Sequence, residues 1–196
     1  MPTLKQVEHF HRRKKKIPNI VLSVTDKNEI IYGARALNKQ LPSYLNKPTE
    51  DYDIFSPTPK KDAMQTEKAL DNHFGGDYFY VEPAKHEGTW KVKSKINKEG
   101  YVDYTKPENK IPFRMIGGKK YVKLDYVKAH IKKTLKDKEA KYRHDKDRDA
   151  LNRIRVYENL KNAKKGSYNK KKRQYRKRMP RADVIQRINQ IAGFKS

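Results

Sequence analysis

The sequence predicts an α/β (α+β) fold, a mixed β-sheet with flanking helices followed by C-terminal helices and a basic tail. Three observations carry that reading. Glu29 to Tyr32 is a short apolar strand that meets Gly33 and then a run of good helix formers, Arg35 to Leu45. Asp51 to Phe55 is built from residues that favour an extended chain. Thr89 to Ser94 and Tyr101 to Thr105 flank a polar turn through Asn97 and Gly100, which is the pattern of a hairpin.

The remaining elements follow in chain order. Ile17 to Val24 reads as extended or partly so. After the Asp51–Phe55 strand, Pro57 and Pro59 break the chain. Ala63, Ala69, Leu70 and Phe74 then recur at helical intervals over Asp62 to His73, with Asp62 favourable in the first turn and Gly75-Gly76 as the stop. Tyr78 to Val81 adds a strand that, with the hairpin, completes the sheet. Beyond a loop through Pro112 and Gly117-Gly118, Tyr121 to Lys136 and Lys138 to Leu160 read as helical. Val184, Ile185, Ile188 and Ile191 predict a short amphipathic helix at the C-terminal end, docking on the body or on another protein. The organisation expected is a basic N-terminal arm over 1–16, a folded body over 17–160, a basic nucleic-acid-binding segment over 161–181 and the amphipathic helix over 182–196.

Length and composition bound the function. A chain of 196 residues suits one domain of about 100 to 160 residues with appendages. The 35% hydrophobic content is low for a chain folded throughout. With no cysteine there are no disulfides, no thiol catalysis and no Cys-based zinc site. No apolar run reaches the length of a membrane span or signal-peptide core, so the expected setting is intracellular or inside a virus particle. Six histidines include His9 and His11, spaced like a metal pair but set among cations that would repel one. No nucleophile elbow, Walker loop or zinc spacing is present.

Forty-eight Lys and Arg stand against 23 Asp and Glu, a net charge of +25. Residues 161–196 carry 13 basic side chains and one acidic one. The densest runs are Lys170-Lys171-Lys172-Arg173 and Arg176-Lys177-Arg178, interleaved with Tyr168 and Tyr175; a second group, Arg12-Arg13-Lys14-Lys15-Lys16, lies before the first strand. Such density implies a polyanion: phosphates would neutralise an otherwise extended segment, with steep salt dependence and little sequence preference. The tyrosines offer stacking faces for unpaired bases. A nuclear-targeting signal or a solvated tail would use the same composition, whereas the bulky apolar residues of a membrane-surface helix are missing.

The candidate chemistry lies in Asp51-Tyr52-Asp53-Ile54. Residues two apart in a strand share a face, so two carboxylates can converge on divalent cations. Two oxygen-ligated metals about 3.5 to 4 Å apart are a common device for bringing a hydroxyl onto a phosphate. A solvated strand edge or turn cap would show the same pair. Gly33, between strand and helix, lets backbone N–H groups at a helix start approach a triphosphate; an ordinary turn glycine is the plain alternative.

Strand, glycine turn, helix and then Asp-x-Asp on the next strand resembles the DNA polymerase β-like nucleotidyltransferase superfamily, especially the poly(A) polymerase catalytic-subunit-like domains of large DNA viruses. The resemblance covers about residues 28 to 155. Tyr32-Gly33-Ala34 stands where that pattern has a hydrophobic residue and two small ones, and Asp51-Tyr52-Asp53-Ile54 where it has its metal-binding strand. The resemblance implies a nucleotidyltransferase-like fold and transfer of a nucleoside monophosphate from an NTP to a hydroxyl on nucleic acid, tRNA or protein. It implies a two-metal Mg²⁺ or Mn²⁺ site on Asp51, Asp53 and a third carboxylate, Asp103, which would help deprotonate the acceptor. Gly33, Ala34 and Arg35 would lie near the nucleotide, as would Arg143 and Lys146 of a later helix. For Asp103 the alternative is a solvated strand residue. For Arg143 it is a salt bridge to Asp147 four residues on, with Lys141 and Asp145 paired likewise. The rival reading is a nucleic-acid-binding structural protein of a virus particle that keeps the fold but not necessarily its turnover; a third is a small toxin or antitoxin transferase, which leaves the basic tail unexplained.

Overall fold

The computed structural model describes residues 2–178, with the backbone alone for residues 164–178. The chain divides into two compact units, the first reaching Ile154 and the second beginning at Arg155.

The first departure from expectation is at the N-terminus. Instead of a free arm, Leu4–Arg13 forms helix α1, opened by a capping box between Thr3 and Gln6. Phe10 is fully buried, its ring among those of Phe74, Phe79 and Tyr101. Burying such a ring is worth about 1.5–3 kcal/mol, which a solvated arm forgoes. A ring nitrogen of His9 lies 2.9 Å from the Phe74 carbonyl, and Arg13 donates to the His73 carbonyl at 2.8 Å. Arg12, Lys15 and Lys16 remain exposed, and Lys14 is half-buried.

Ile17–Val24, expected to be extended, is helix α2. Ile17, Ile20, Val21 and Val24 recur at helical spacing, and Pro18 sits in the first turn, where its missing N–H costs nothing. Periodicity here outweighs the strand preference of β-branched residues. The chain continues through strand β1 (Ile30–Tyr32), helix α3 (Gly33–Gln40), strand β2 (Tyr52–Phe55) and helix α4 (Pro59–Phe74). Gly75, left-handed at φ 73°, ends α4. Strands β3 (Phe79–Pro83), β4 (Thr89–Ser94) and β5 (Gly100–Thr105) follow.

The segment expected as a loop before a helix at Tyr121 is a second hairpin, β6 (Phe113–Ile116) with β7 (Lys119–Val122). Gly117 and Gly118, at φ 57° and 75°, make the two-residue turn whose twist suits paired strands. Helix α5 (Leu124–Thr134), a 3₁₀ turn over Glu139–Arg143 and helix α6 (His144–Arg178) complete the order. The basic run through Arg178, expected to stay extended, continues α6 in its backbone, because Lys and Arg are good helix formers. The amphipathic helix expected over 182–196 lies outside the described residues.

One seven-stranded mixed sheet orders the strands β3-β4-β5-β2-β1-β7-β6. β2 runs parallel to β5 and β1 parallel to β7; the other neighbours are antiparallel. One face packs on α1, α2 and α4 through Ile54, Val92, Val102 and Tyr104 against Ala63, Leu70 and Phe74. Tyr104, buried on that face, shares a 2.7 Å hydrogen bond with Thr66 of α4. The intervening residues of β2 and β5 therefore face the other way. Among the described residues no helix is long and apolar enough to cross a membrane.

Candidate active site

Register places one row of side chains across four strands on the face opposite the core. Tyr32 of β1 pairs with Asp53 of β2, Asp53 with Asp103 of β5, and Asp103 with Lys91 of β4. Adjacent strands lie about 4.7–4.9 Å apart, so the two carboxylates are nearest neighbours. Asp51 precedes β2 by one residue and is exposed on the Asp53 side, with its Oδ1 accepting from the Thr49 hydroxyl at 2.6 Å.

Gly33 fits this row for a steric reason. It has φ 64°, and a Cβ there would stand 1.8 Å from Asp53 Oδ2. Only a residue without a side chain lets the first turn of α3 press against that carboxylate. Ala34 follows, half-buried. Arg35 turns away from the row: it donates to the carbonyls of Asp51 and Glu50 at 3.1 and 3.2 Å, and its guanidinium lies 4.3 Å from the Tyr52 ring centre. It braces the segment that presents Asp51.

Burial, with Asp51 and Asp103 alongside, pushes Asp53 up to about 6; Lys146 and Arg143 offset part of the rise. Burial followed by the charge of Asp53 likewise pushes the Tyr32 phenol up. Tyr32 shares a 3.0 Å hydrogen bond with Thr105 and stacks on Phe55 at 4.0 Å between ring centres. The start of α6 is held to the loop before β2: Lys47 bonds Asp149 at 2.8 Å, and Arg153 donates to Asp149 and to the Leu45 carbonyl. That anchoring keeps Arg143 and Lys146 within electrostatic reach of Asp53. Arg143 also forks onto Asp147 at 3.1 and 3.3 Å, and Asp147 is only 3% exposed. Asp145 pairs with Arg148 at 2.9 Å instead of with Lys141, which lies in the 3₁₀ turn before α6, out of helical register.

Lys91 is the member of this row that the sequence analysis leaves unassigned. Its Nζ bonds Asp103 Oδ2 at 2.6 Å. Pairing Thr89 with Thr105 in the expected hairpin already puts Lys91 opposite Asp103, so the signal was present in the alternation of β4.

Carboxylate oxygens are the donors that Mg²⁺ and Mn²⁺ prefer, and a half-buried carboxylate flanked by two others is short of positive charge. By donor chemistry the set suits a divalent cation. As the side chains stand, Lys91 engages Asp103, and among the described residues no three or more His, Cys, Asp or Glu side chains form a group that could hold a metal ion. The cationic residues Arg12 to Lys16 and Lys170 to Arg178 belong to α1 with the following turn and to α6; none lies in the strand row.

No protein-family model matches the sequence, and none of the curated proteins does. Among solved structures the chain is similar to the Megavirus polyadenylate synthase, at 22% identity and a TM-score of 0.62. The match covers 74% of this chain and 32% of that one, so the chain spans about a third of the length of that protein. JHP933 from Helicobacter pylori matches at 15% identity and a TM-score of 0.38, over 69% of this chain and 58% of that one. The fold is nucleotidyltransferase-like, a mixed sheet with flanking helices, as the strand, glycine turn and Asp-x-Asp order implied.

Proposed function

We propose that the chain is a nucleotidyltransferase that joins a nucleoside monophosphate from an NTP to an acceptor hydroxyl on nucleic acid. The observation that carries this reading is the seating of Asp53: in register with Asp103, one face with Asp51, and pressed by a glycine that tolerates no side chain. Asp51, Asp53 and Asp103 would hold Mg²⁺ or Mn²⁺, which supplies charge neutralisation at the phosphates and acidity at the acceptor hydroxyl. The chain's own residues do the positioning. Gly33 opens α3 so that backbone N–H groups face the triphosphate. Arg35 fixes Asp51 through the backbone, while Lys146 and Arg143 offset the charge of the departing pyrophosphate. Lys91 leaves Asp103, whose Oδ2 then takes the proton of the attacking hydroxyl. The new bond forms between the acceptor hydroxyl oxygen and the α-phosphorus, as the bond from the α-phosphorus to the bridging oxygen breaks and that oxygen leaves with pyrophosphate. Catalysis on these terms is orientation plus preorganised charge.

Nucleic acid is the partner that the net charge of +25 favours, gripped with little sequence preference by the cations of α1 and α6. A second reading has its own observation. The Lys91–Asp103 ion pair occupies the third carboxylate, which suits a fold kept for binding a genome, as in a virus particle, without turnover.

The deciding experiment offers each NTP, labelled at the α-phosphate, with Mg²⁺ or Mn²⁺, to RNA and DNA 3′ ends and to protein. ATP and RNA come first, given the polyadenylate synthase of like fold. The native chain is compared with Asp51→Ala plus Asp53→Ala. Transfer that the double substitution abolishes supports the enzyme and names its acceptor. No transfer, with salt-sensitive strand binding intact in both, supports the binding protein.

A further inference from the structure

A groove of about 600 Å³ opens on the core face of the sheet, behind the strand row. Its apolar floor is Pro59, Met64 and Trp90, and its rim is Lys60, Lys61 and Lys106. Trp90 pairs with Tyr104 while its neighbour Lys91 pairs with Asp103, so the indole and the carboxylates lie on opposite faces of β4 and β5. Met64 is 51% exposed and Trp90 half-buried, leaving an uncovered apolar surface with cations around it. No acidic side chain lines it. The Lys60 ammonium rests 5.0 Å from the indole ring centre.

We infer that this groove is a single-strand nucleic-acid site, in which an unpaired base stacks on Trp90 and the flanking phosphates meet Lys60, Lys61 and Lys106. Two features select this occupant. A flat aromatic face ringed by ammonium groups matches the plane and anion that each nucleotide repeats. An acidic peptide brings carboxylates without the plane, and a duplex keeps its bases stacked on one another. Stacking a base is worth more than an exposed cation–π contact, so the base displaces Lys60 and frees its charge for phosphate. The site rests on the nucleic-acid part of the proposed function and is independent of transfer.

Trp90 is the chain's one tryptophan, so indole emission reports this groove and nothing else. The full chain is titrated with oligothymidylate, with an abasic strand of equal length and with polyglutamate, while the anisotropy of an end label reports binding anywhere on the protein. The expected result is strong quenching by oligothymidylate, with the abasic strand bound but emission little changed. Trp90→Ala is expected to weaken binding about 5- to 100-fold. Lys60→Glu with Lys106→Glu, which leaves the core untouched, is expected to abolish the quenching. The inference falls if oligothymidylate binds by anisotropy with emission unchanged, if the abasic strand quenches equally, or if polyglutamate quenches as well as the strand does. Absence of any strand binding by anisotropy overturns it together with the nucleic-acid reading.

Discussion

Gly33→Ala tests the packing on which the strand row depends. A left-handed backbone costs an L-residue about 1–2 kcal/mol. The new Cβ would also lie 1.8 Å from Asp53 Oδ2 and 2.8 Å from its Cγ, forcing the carboxylate off its rotamer for about 0.5–1.5 kcal/mol more. Together these amount to about 1.5–3.5 kcal/mol, and at roughly 2–4 °C per kcal/mol for a domain of this size the melting temperature falls by about 3–14 °C. The two contributions separate in an Asp53→Ala background. There both carboxylate contacts vanish and only Asp53 Cβ, at 3.2 Å, remains near. Thermal melts of all four proteins should show the Gly33→Ala loss shrinking by about a third to a half when Asp53 is absent. An equal loss in both backgrounds would mean that Gly33 does not press on Asp53, and no loss in either would remove the steric case for the site.

Three further outcomes are expected. Glu29 is 3% exposed, and burial above all, with Asp62 and Asp26, pushes it up to about 7 from 4.5. The folded state therefore holds more protons across that window, and native stability falls as pH rises through it, by no more than about 3 kcal/mol. Glu29→Gln should unfold at a higher urea concentration than the native chain above about pH 7 and near the same one below about pH 5, with the Asp26 N–H bond retained. Phe10→Ala should cost about 3–5 kcal/mol in urea unfolding, because the ring is wholly buried; a free arm would show almost no change. Replacing Lys170, Lys171, Lys172 and Arg173 by Ala should make the log–log salt dependence of single-strand binding shallower by up to about 3, read by label anisotropy.

The parts legible in the sequence were those that local pattern controls. Gly33 between an apolar strand and a helix, the Asp51–Asp53 spacing, the Asp103 hairpin and the α4 periodicity all lie within short windows, and the structure forms each element. Where two local rules competed, the reading went astray. Ile17–Val24 satisfies both strand propensity and helical spacing, and Phe10 looks like one apolar residue in a basic arm until Phe74, Phe79 and Tyr101 surround it. Gly117-Gly118 fits a loop and a two-residue hairpin turn alike, and the pairing of β6 with β7 decides for the turn. The Lys91–Asp103 pair follows from the register of the expected hairpin, whereas the bond from Arg35 to the Asp51 carbonyl, 16 residues on, depends on how α3 packs beside β2 and has no signal in the local pattern.

The most direct test is whether Asp51, Asp53 and Asp103 act together on one cation. Mn²⁺ binding, followed by its paramagnetic resonance with an NTP present, should weaken on each of Asp51→Asn, Asp53→Asn and Asp103→Asn while melting temperatures stay at or above the native value. Mn²⁺ and NTP binding unchanged in all three variants would leave the row as scaffolding for the Lys91 ion pair and would end the case for metal-dependent transfer.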